Sequence, residues 1–384
     1  MKAQNFNDSD LLFYLVKLKF PKTCLSFWHL KSLAKKFSNS FDDLIAFRIF
    51  EFVINKGFFV KSNNDIFVSY PDIWIGEHDF KYHVVFSFSN GLYNFDNLDS
   101  EIEQIVGAKI YSVNLLSNGY IDYEFDFSPD DIKLFLKDSF DFQSFSGSRF
   151  SHKIRLSFKY EWDYLNCPHA LVVGDTGSGK TYFLEQLLLE VFALKGDLYV
   201  ADPKNSDLSI VCEHVDSRFV NFAFSSLDIL GLLVKLEKVM DDRFEVIHRD
   251  GLKSFSDAYF PAFLIFDEFA AFSSLGGTEV KKVQNILKRL ILKGRQAGVF
   301  VVVAMQKADA TVLPTSIRDQ LSLKIALGCV STQGYVQVFG SSQGLVIQPR
   351  GEGYIFMNGM QSPSHIIIPE HSNYLTVLNG LGYI

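Results

Sequence analysis

The chain has 384 residues, is 48% hydrophobic, 15% aromatic and 21% charged, and carries a formal net charge of −7. That length holds two or three domains with sizeable cores, and the composition excludes disorder, collagen-like repeats and coiled coil as descriptions of the whole. The charge is uneven: residues 1–70 carry ten basic and six acidic side chains, residues 71–150 five and fourteen, the remainder twenty-two and twenty-four. No basic tail is visible, so any contact with nucleic acid has to come from local patches.

In chain order, residues 9–20 and 27–55 show the apolar spacing of helices, as in LKSLAKKF and DDLIAFRIFEFV. Gly57 closes the second run, and GFFVKSNNDIFVSY reads as a β-hairpin about a Ser-Asn-Asn-Asp turn. Helices followed by a hairpin suit a winged helix or a small structural α+β unit, and residues 1–70 form the first expected segment. Residues 82–127 read as strand, helix, strand, strand, with HVVFSFS alternating and NLDSEIEQIVG amphipathic. SFSGSR near residue 150 looks like a linker, so 71–150 is expected to be a small acidic α+β domain and 151–384 a third segment. Beyond residue 150, continuous apolar runs alternate with longer helical stretches: ALVVG, DLYVAD, AFLIFDE, VFVVVAMQ and LSLKIALG are the strand-like ones. Strands apolar on both sides, separated by helices, indicate an α/β fold with a mostly parallel sheet covered on both faces.

No run reaches the ~18 apolar residues of a membrane-spanning helix, so no transmembrane segment is expected. MKAQNFNDSDLL has acids ahead of any apolar run, and no secretory leader is expected. Cys24, Cys167, Cys212 and Cys329 are scattered without CxxC spacing, which fits reduced thiols in a cytoplasm and not a zinc site.

Gly174-Asp175-Thr176-Gly177-Ser178-Gly179-Lys180-Thr181 follows ALVVG and opens a helical stretch. This spacing is that of a phosphate-binding loop, whose glycines let backbone N–H groups curl around an anion at a helix N-terminus. Lys180 would reach the β- and γ-phosphates of ATP, and the Thr181 hydroxyl would bind Mg²⁺. The apolar strand 263–266 ends in Asp267 and Glu268. Asp267 is placed to hold Mg²⁺, directly or through water, and Glu268 to orient and deprotonate an attacking water. Gln306 ends the next apolar strand, where an amide could sense the γ-phosphate or hold that water. A second acid beside the first favours hydrolysis over passive nucleotide binding.

The order GDTGSGKT, ADPK, DDRFEVI, IFDEF, LKGRQAGVFVVVAMQ, GEGYIFMNG resembles the FtsK/SpoIIIE branch of the FtsK–HerA superfamily of DNA-pumping ATPases. The string from Leu313 to Gln320 is similar to the coupling proteins of Gram-positive conjugative plasmids and integrative elements. The resemblance covers about residues 150–360 and implies a P-loop NTPase fold of the RecA-like (ASCE) kind, acting as a ring, expected as a homo-hexamer, around double-stranded DNA. It also implies a cation acting across the subunit boundary, for which Arg318, Arg295 and Lys324 are candidates, Arg318 foremost. A Lys there could not make the bidentate fork of an Arg. Arg249 and Lys253 follow the DDRFEVI helix, where such proteins present pore loops, and are the candidate nucleic-acid contacts. Lys281, Lys282, Lys288, Arg289 and Lys293 read as a solvated helix face. Neither the N-terminal membrane helices nor the winged C-terminal domain found in that branch is seen here, so pumping at a division septum is not expected. A cytoplasmic coupling motor recruited by a relaxase or a membrane transfer complex is expected instead. The alternatives are a secretion or packaging ATPase of the same superfamily, or a nucleotide-switched DNA-binding adaptor.

Overall fold

A computed structural model of the chain describes residues 11–12, 15–18, 41–58, 60–61, 68–78, 81–87, 98–116, 119–126, 134–136, 138–146, 152–157, 159–253, 255, 259–308, 312–371 and 374–384. The chain divides into two compact units, Met1–Lys133 and Leu134–Ile384.

The first unit contains β1 (Val16–Lys17), α1 (Phe41–Asn55), β2 (Val60–Lys61), β3 (Val68–Ser69), β4 (Ile73–His78), β5 (Lys81–Ser87), α2 (Asp99–Val106), β6 (Ser112–Leu116) and β7 (Tyr120–Phe125). Five strands form an antiparallel sheet in the order β1-β4-β5-β7-β6. Its core is aromatic and β-branched: Tyr82, Val84, Phe86, Tyr123 and Phe125 are buried, as are Ile45, Ile49 and Val53 of α1 and Ile102 and Val106 of α2. α2 stops at Gly107, whose left-handed conformation (φ 82°) lets its N–H donate to the Glu103 carbonyl. The hairpin expected after Gly57 is present as β2 and β3. The helix expected over 9–20 is not continuous. Val16 and Lys17 are strand, paired with Ile75 and Trp74, because Leu15 is buried against Trp74 and Val85 in the sheet. Residues 1–70 are therefore not a domain of their own: β1 completes the sheet built by 73–125. The helix expected from residue 27 lies, over 27–40, outside the described residues.

The second unit begins with β8 (Phe135–Leu136) and α3 (Ser139–Phe145), so the expected boundary near 150 moves to 133/134. The reason lies far downstream. β8 pairs with β19 (Glu370–His371), and α3 packs on α11 (Tyr374–Leu381) so closely that a Cβ on Gly380 would lie 2.1 Å from Ser139 Oγ. Between these ends run β9 (Lys153–Arg155), β10 (Glu161–Asp163), β11 (Ala170–Gly174), α4 (Lys180–Ala193), β12 (Asp197–Ala201), α5 (Asp207–His214), β13 (Val220–Ala223), α6 (Ser226–Asp250), β14 (Ala262–Phe266), α7 (Phe269–Ser274), α8 (Gly277–Lys293), β15 (Val299–Met305), α9 (Thr315–Arg318), β16 (Leu323–Leu327), α10 (Thr332–Phe339), β17 (Glu352–Met357) and β18 (Ser364–Ile367).

The eight-stranded sheet has the order β13-β12-β14-β15-β11-β16-β17-β18. The first six strands are parallel, and β17 and β18 extend the sheet antiparallel. Side-chain alternation sorts the helices to two faces. Leu171, Val173, Tyr199, Leu264 and Val301 share one core with the apolar faces of α6 and α8. The intervening residues of the strands and the buried side chains of α4 lie outside that core. α6 starts on Ser225, whose hydroxyl accepts the Asp228 N–H, and ends at Gly251 (φ 62°).

The GRQAG turn before β15 is a packing device. Buried Arg243 of α6 donates to the Ala297 and Gly298 carbonyls, both at 3.2 Å, and to Asp197 Oδ2 at 2.9 Å. Gly298 has φ 70°, and a Cβ there would lie 2.2 Å from the Phe255 ring. Gly298→Ala combines overpacking, about 1–3 kcal/mol, with left-handed strain of about 1–2 kcal/mol. It should lower unfolding free energy by at least about 2 kcal/mol in urea titration, and an unchanged midpoint would show that the turn yields freely.

Candidate active site

The glycine loop is seated between the ends of three strands. A Cβ on Gly174 would sit 2.4 Å from Ser178 Oγ and 3.1 Å from the Leu327 carbonyl, and one on Gly328 would sit 2.7 Å from Ser178 Cβ. Gly351 donates its N–H to the Ser178 carbonyl at 2.9 Å. Gly177 (φ 81°) and Gly179 (φ 99°) take left-handed conformations, and Gly179 turns the chain into α4. Lys180, the first residue of α4, is buried although it is a lysine. Such burial requires partners, and two carboxylates supply them.

Those carboxylates follow β14, in the register that places Phe266 beside Ala201 of β12 and Val303 of β15. Lys180 Nζ donates to Asp267 Oδ1 and, at 3.1 Å, to Glu268 Oε1. Glu268 Oε1 also lies 3.2 Å from Lys204 Nζ and accepts from Gln306 Nε2 at 3.4 Å. The Glu268 N–H donates to Asp267 Oδ1 at 2.8 Å. Glu268 is held at φ 47°, ψ 40°, a region costly for a residue with a Cβ and one that gathers at functional sites.

The electrostatics separate the two acids. Burial raises the Asp267 carboxyl above the ordinary range, offset in part by Lys180. Glu268 is less enclosed. Burial would raise it too, but Lys180 and Lys204 outweigh burial and hold it below the ordinary range. Glu268 is thus ionised at neutral pH, as a base has to be, while occupied by donors.

A cleft of about 520 Å³ joins the loop from Asp175 to Thr181 with Asp267, Glu268 and Gln306. Sequence reading had not given Lys204 a role, and had missed Arg350, Glu185, His371 and Tyr374, which share this cleft. Arg350 lies 5.3 Å over the Tyr182 ring. The only sequence signals were the Asp-Pro-Lys string for Lys204 and, for Glu185, an acid one turn beyond Thr181. Among the described residues, no group of three or more His, Cys, Asp or Glu could hold a metal. Thr181 and Asp267 are instead the kind of sparse protein ligand set that Mg²⁺ uses together with substrate phosphates and water. A buried lysine carrying two acids, beside a glycine loop at a helix N-terminus, fits Mg-nucleotide.

Glu185 is pushed up to about 7 by burial and by nearby Asp207. His371, with Nε2 3.4 Å from Glu185 Oε2, is pushed down by burial. Both tend to neutrality. The folded state then holds a Glu185 proton that the unfolded chain releases, so stability falls as pH rises from the ordinary carboxylate range to about 7. Glu185→Gln should flatten this slope by up to about 3 kcal/mol, read from urea titrations at pH 5 and pH 8. Parallel pH profiles for the two proteins would contradict the shift.

The remaining candidates lie elsewhere. Arg318 donates to the Ala308 carbonyl at 3.2 Å and to Thr315 Oγ1 at 3.4 Å and does not line the cleft. Lys324 sits mid-strand in β16 between Leu171 and Phe356, its ammonium pushed down by burial. Arg295 and Lys253 line a second cleft, of about 990 Å³, with Asn166, Lys293 and His248. Asn166 precedes β11 and Arg295 precedes β15, so this cleft lies at the strand ends opposite the glycine loop. Arg249, exposed, pairs with Asp250 at 2.7 Å. Arg289 pairs with Glu237 of α6, so that member of the expected solvated face is tethered.

A mostly parallel sheet with a glycine loop after an inner strand, and paired acids two strands away, defines a P-loop ATPase fold. Residues 136–262 match the FtsK/SpoIIIE family model. The match ends before Asp267, so the paired acids and Gln306 stand on geometry. The chain is 34% identical over 206 residues to the Ftsk domain-containing protein YdcQ of Bacillus subtilis (50% of this chain, 41% of that protein). It is 25% identical over 233 residues to the DNA translocase FtsK of Pseudomonas syringae pv. tomato (49% and 29%). It thus spans less than half the length of these curated relatives. Among solved structures, the pCW3 conjugation coupling protein TcpA, a monomer with ATPγS, superposes with TM-score 0.57 at 13% identity, over 83% of this chain and 95% of that one. The cytoplasmic domain of the type VII secretion ATPase EccC of Thermomonospora curvata gives TM-score 0.51 at 19% identity, over 61% and 31%. Both are likenesses of fold. Among the described residues no helix is long and apolar enough to cross a membrane.

Proposed function

We propose that this protein hydrolyses ATP and uses the energy to move double-stranded DNA, working as a ring of identical subunits, expected as a hexamer, in the transfer of a conjugative or other mobile element. The observation that carries the catalytic half is Glu268 Oε1, which gathers Lys180, Lys204 and Gln306 at the mouth of the glycine loop. Lys180 and the loop hold the phosphates, Thr181 and Asp267 hold Mg²⁺, Glu268 takes the proton of the attacking water, and Gln306 orients that water or reads the γ-phosphate. Bound Mg²⁺ would neutralise charge on the phosphates.

Arg318, tied to its own chain through Ala308 and Thr315, does not line its own cleft. That suits a residue serving a neighbour's site, where an arginine can add several orders of magnitude in rate. Arg295 and Lys324 are the other candidates. The DNA half rests on the translocases among the relatives and on two exposed cations, Arg249 in the last turn of α6 and Lys253 just beyond it. A cytoplasmic position, and recruitment by a relaxase or a membrane transfer complex, belong to the same reading.

The test is ATP turnover with linear duplex, single-stranded DNA and unfolded polypeptide. Stimulation by duplex alone is expected. Stimulation by polypeptide alone would move the protein to secretion, and stimulation by none of them would remove the translocase reading.

A further inference from the structure

Lys204 is aimed by its own turn. Asp202, at the end of β12, is fully buried, and its carboxylate is saturated by its successors. It accepts the N–H of Lys204 at 3.2 Å, of Ser206 at 2.8 Å and of Ser209 at 3.3 Å, and the Ser209 hydroxyl at 2.8 Å. Asn205 N–H returns to the Asp202 carbonyl at 3.0 Å, with Asn205 left-handed at φ 49°. A buried aspartate that binds the next turn in this way fixes the chain between strand and helix. β12 is hydrogen-bonded to β14, so the turn after one strand projects Lys204 onto the acid after the other.

The Lys204 side chain remains 43% exposed and lines the same cleft as Lys180 and Thr181. An ion pair that exposed is weakly held. A terminal phosphate carries more charge than a carboxylate and accepts charge-assisted hydrogen bonds at three oxygens.

We propose that Lys204 is a positioning residue shared between Glu268 and the terminal phosphate of a nucleoside triphosphate, so that only a triphosphate draws it off Glu268 and frees Oε1 to accept a proton from water. This rests on the nucleotide-site reading above and adds to it the means by which the chain distinguishes triphosphate from diphosphate. A diphosphate ends short of Lys204 and leaves the Lys204–Glu268 pair closed. With the triphosphate in place, Gln306, on the same oxygen, has water instead of Lys204 as its neighbour.

The test is competitive binding of ADP and of a non-hydrolysable ATP analogue, each with Mg²⁺, to wild type, Lys204→Met, Lys204→Arg and Lys180→Ala, using displacement of a fluorescent nucleotide. Lys204→Met should lose about tenfold in affinity for the triphosphate analogue, equivalent to about 1.4 kcal/mol, with ADP affinity unchanged. Lys204→Arg should restore part of the difference. If Lys204→Met keeps the wild-type ratio of the two affinities, or loses both equally, while Lys180→Ala loses both ligands, Lys204 is a structural ion pair and the inference is overturned. If Lys180→Ala binds both nucleotides as wild type does, the nucleotide-site reading itself falls, and the role of Lys204 with it.

Discussion

Glu268→Gln is expected to bind Mg-ATP at least as well as wild type and to turn it over about 10²–10⁴-fold more slowly. The substitution is nearly isosteric, so the left-handed turn at Glu268 and the contacts with Gln306 and Lys180 can persist. What disappears is the carboxylate on which Lys180, Lys204 and Gln306 converge at the mouth of the glycine loop. Asp267 cannot take over. Its carboxyl is raised by burial, and it is occupied by Lys180 Nζ and the Glu268 N–H. Removing a negative charge beside the phosphates also removes a repulsion, hence affinity that holds or rises. The check is single-turnover hydrolysis alongside equilibrium binding. Normal turnover in Glu268→Gln would remove Glu268 from catalysis. The sign of the pH dependence follows from its lowered carboxyl: activity through Glu268 is present at neutral pH and is lost on the acid side, as pH falls through that lowered value.

Lys180→Ala is expected to do two separable things. It should abolish measurable nucleotide binding, since Lys180 is the cation at the mouth of the loop. It should also destabilise the ligand-free protein. Lys180, Asp267 and Glu268 have side-chain exposures of 7%, 5% and 9%, and deleting the cation leaves two enclosed carboxylates with little solvent to screen them. Removing one partner of a buried pair costs about 3–5 kcal/mol, and partial protonation of Asp267 would hold the loss toward the lower figure. Adding Asp267→Asn to Lys180→Ala should return a large part of that stability without returning nucleotide binding. Urea titration of the four proteins of this cycle measures the coupling. Additive effects would show that Lys180 and Asp267 do not sense each other, contrary to their contact.

The parallel half of the sheet was legible because its strands are buried on both faces and so read as unbroken apolar runs: ALVVG, AFLIF and VFVVVAM coincide with β11, β14 and β15. The glycine loop was legible because its glycines answer steric demands, shown by the close approaches at Gly174 and Gly328. Other parts were hidden for physical reasons. β13 is four residues with an asparagine in it, too short for a period. β8 and α3 found partners more than 200 residues away in β19 and α11, which no local pattern near residue 150 could announce. β1 is two residues held by Leu15 against Trp74, and helical spacing and a short strand look alike at that length. The Asp-Pro-Lys string stood in the sequence, but its tie to Glu268 needs β12 beside β14. Strand order is a tertiary fact.

The triphosphate in this glycine loop is proposed to be cleaved by machinery that neighbouring subunits complete around duplex DNA. Steady-state ATP turnover per chain, measured against protein concentration with and without linear duplex, tests it most directly. Low turnover in dilute protein is expected, with a cooperative rise with concentration that requires duplex. Turnover per chain that stays constant with concentration and ignores duplex would contradict it.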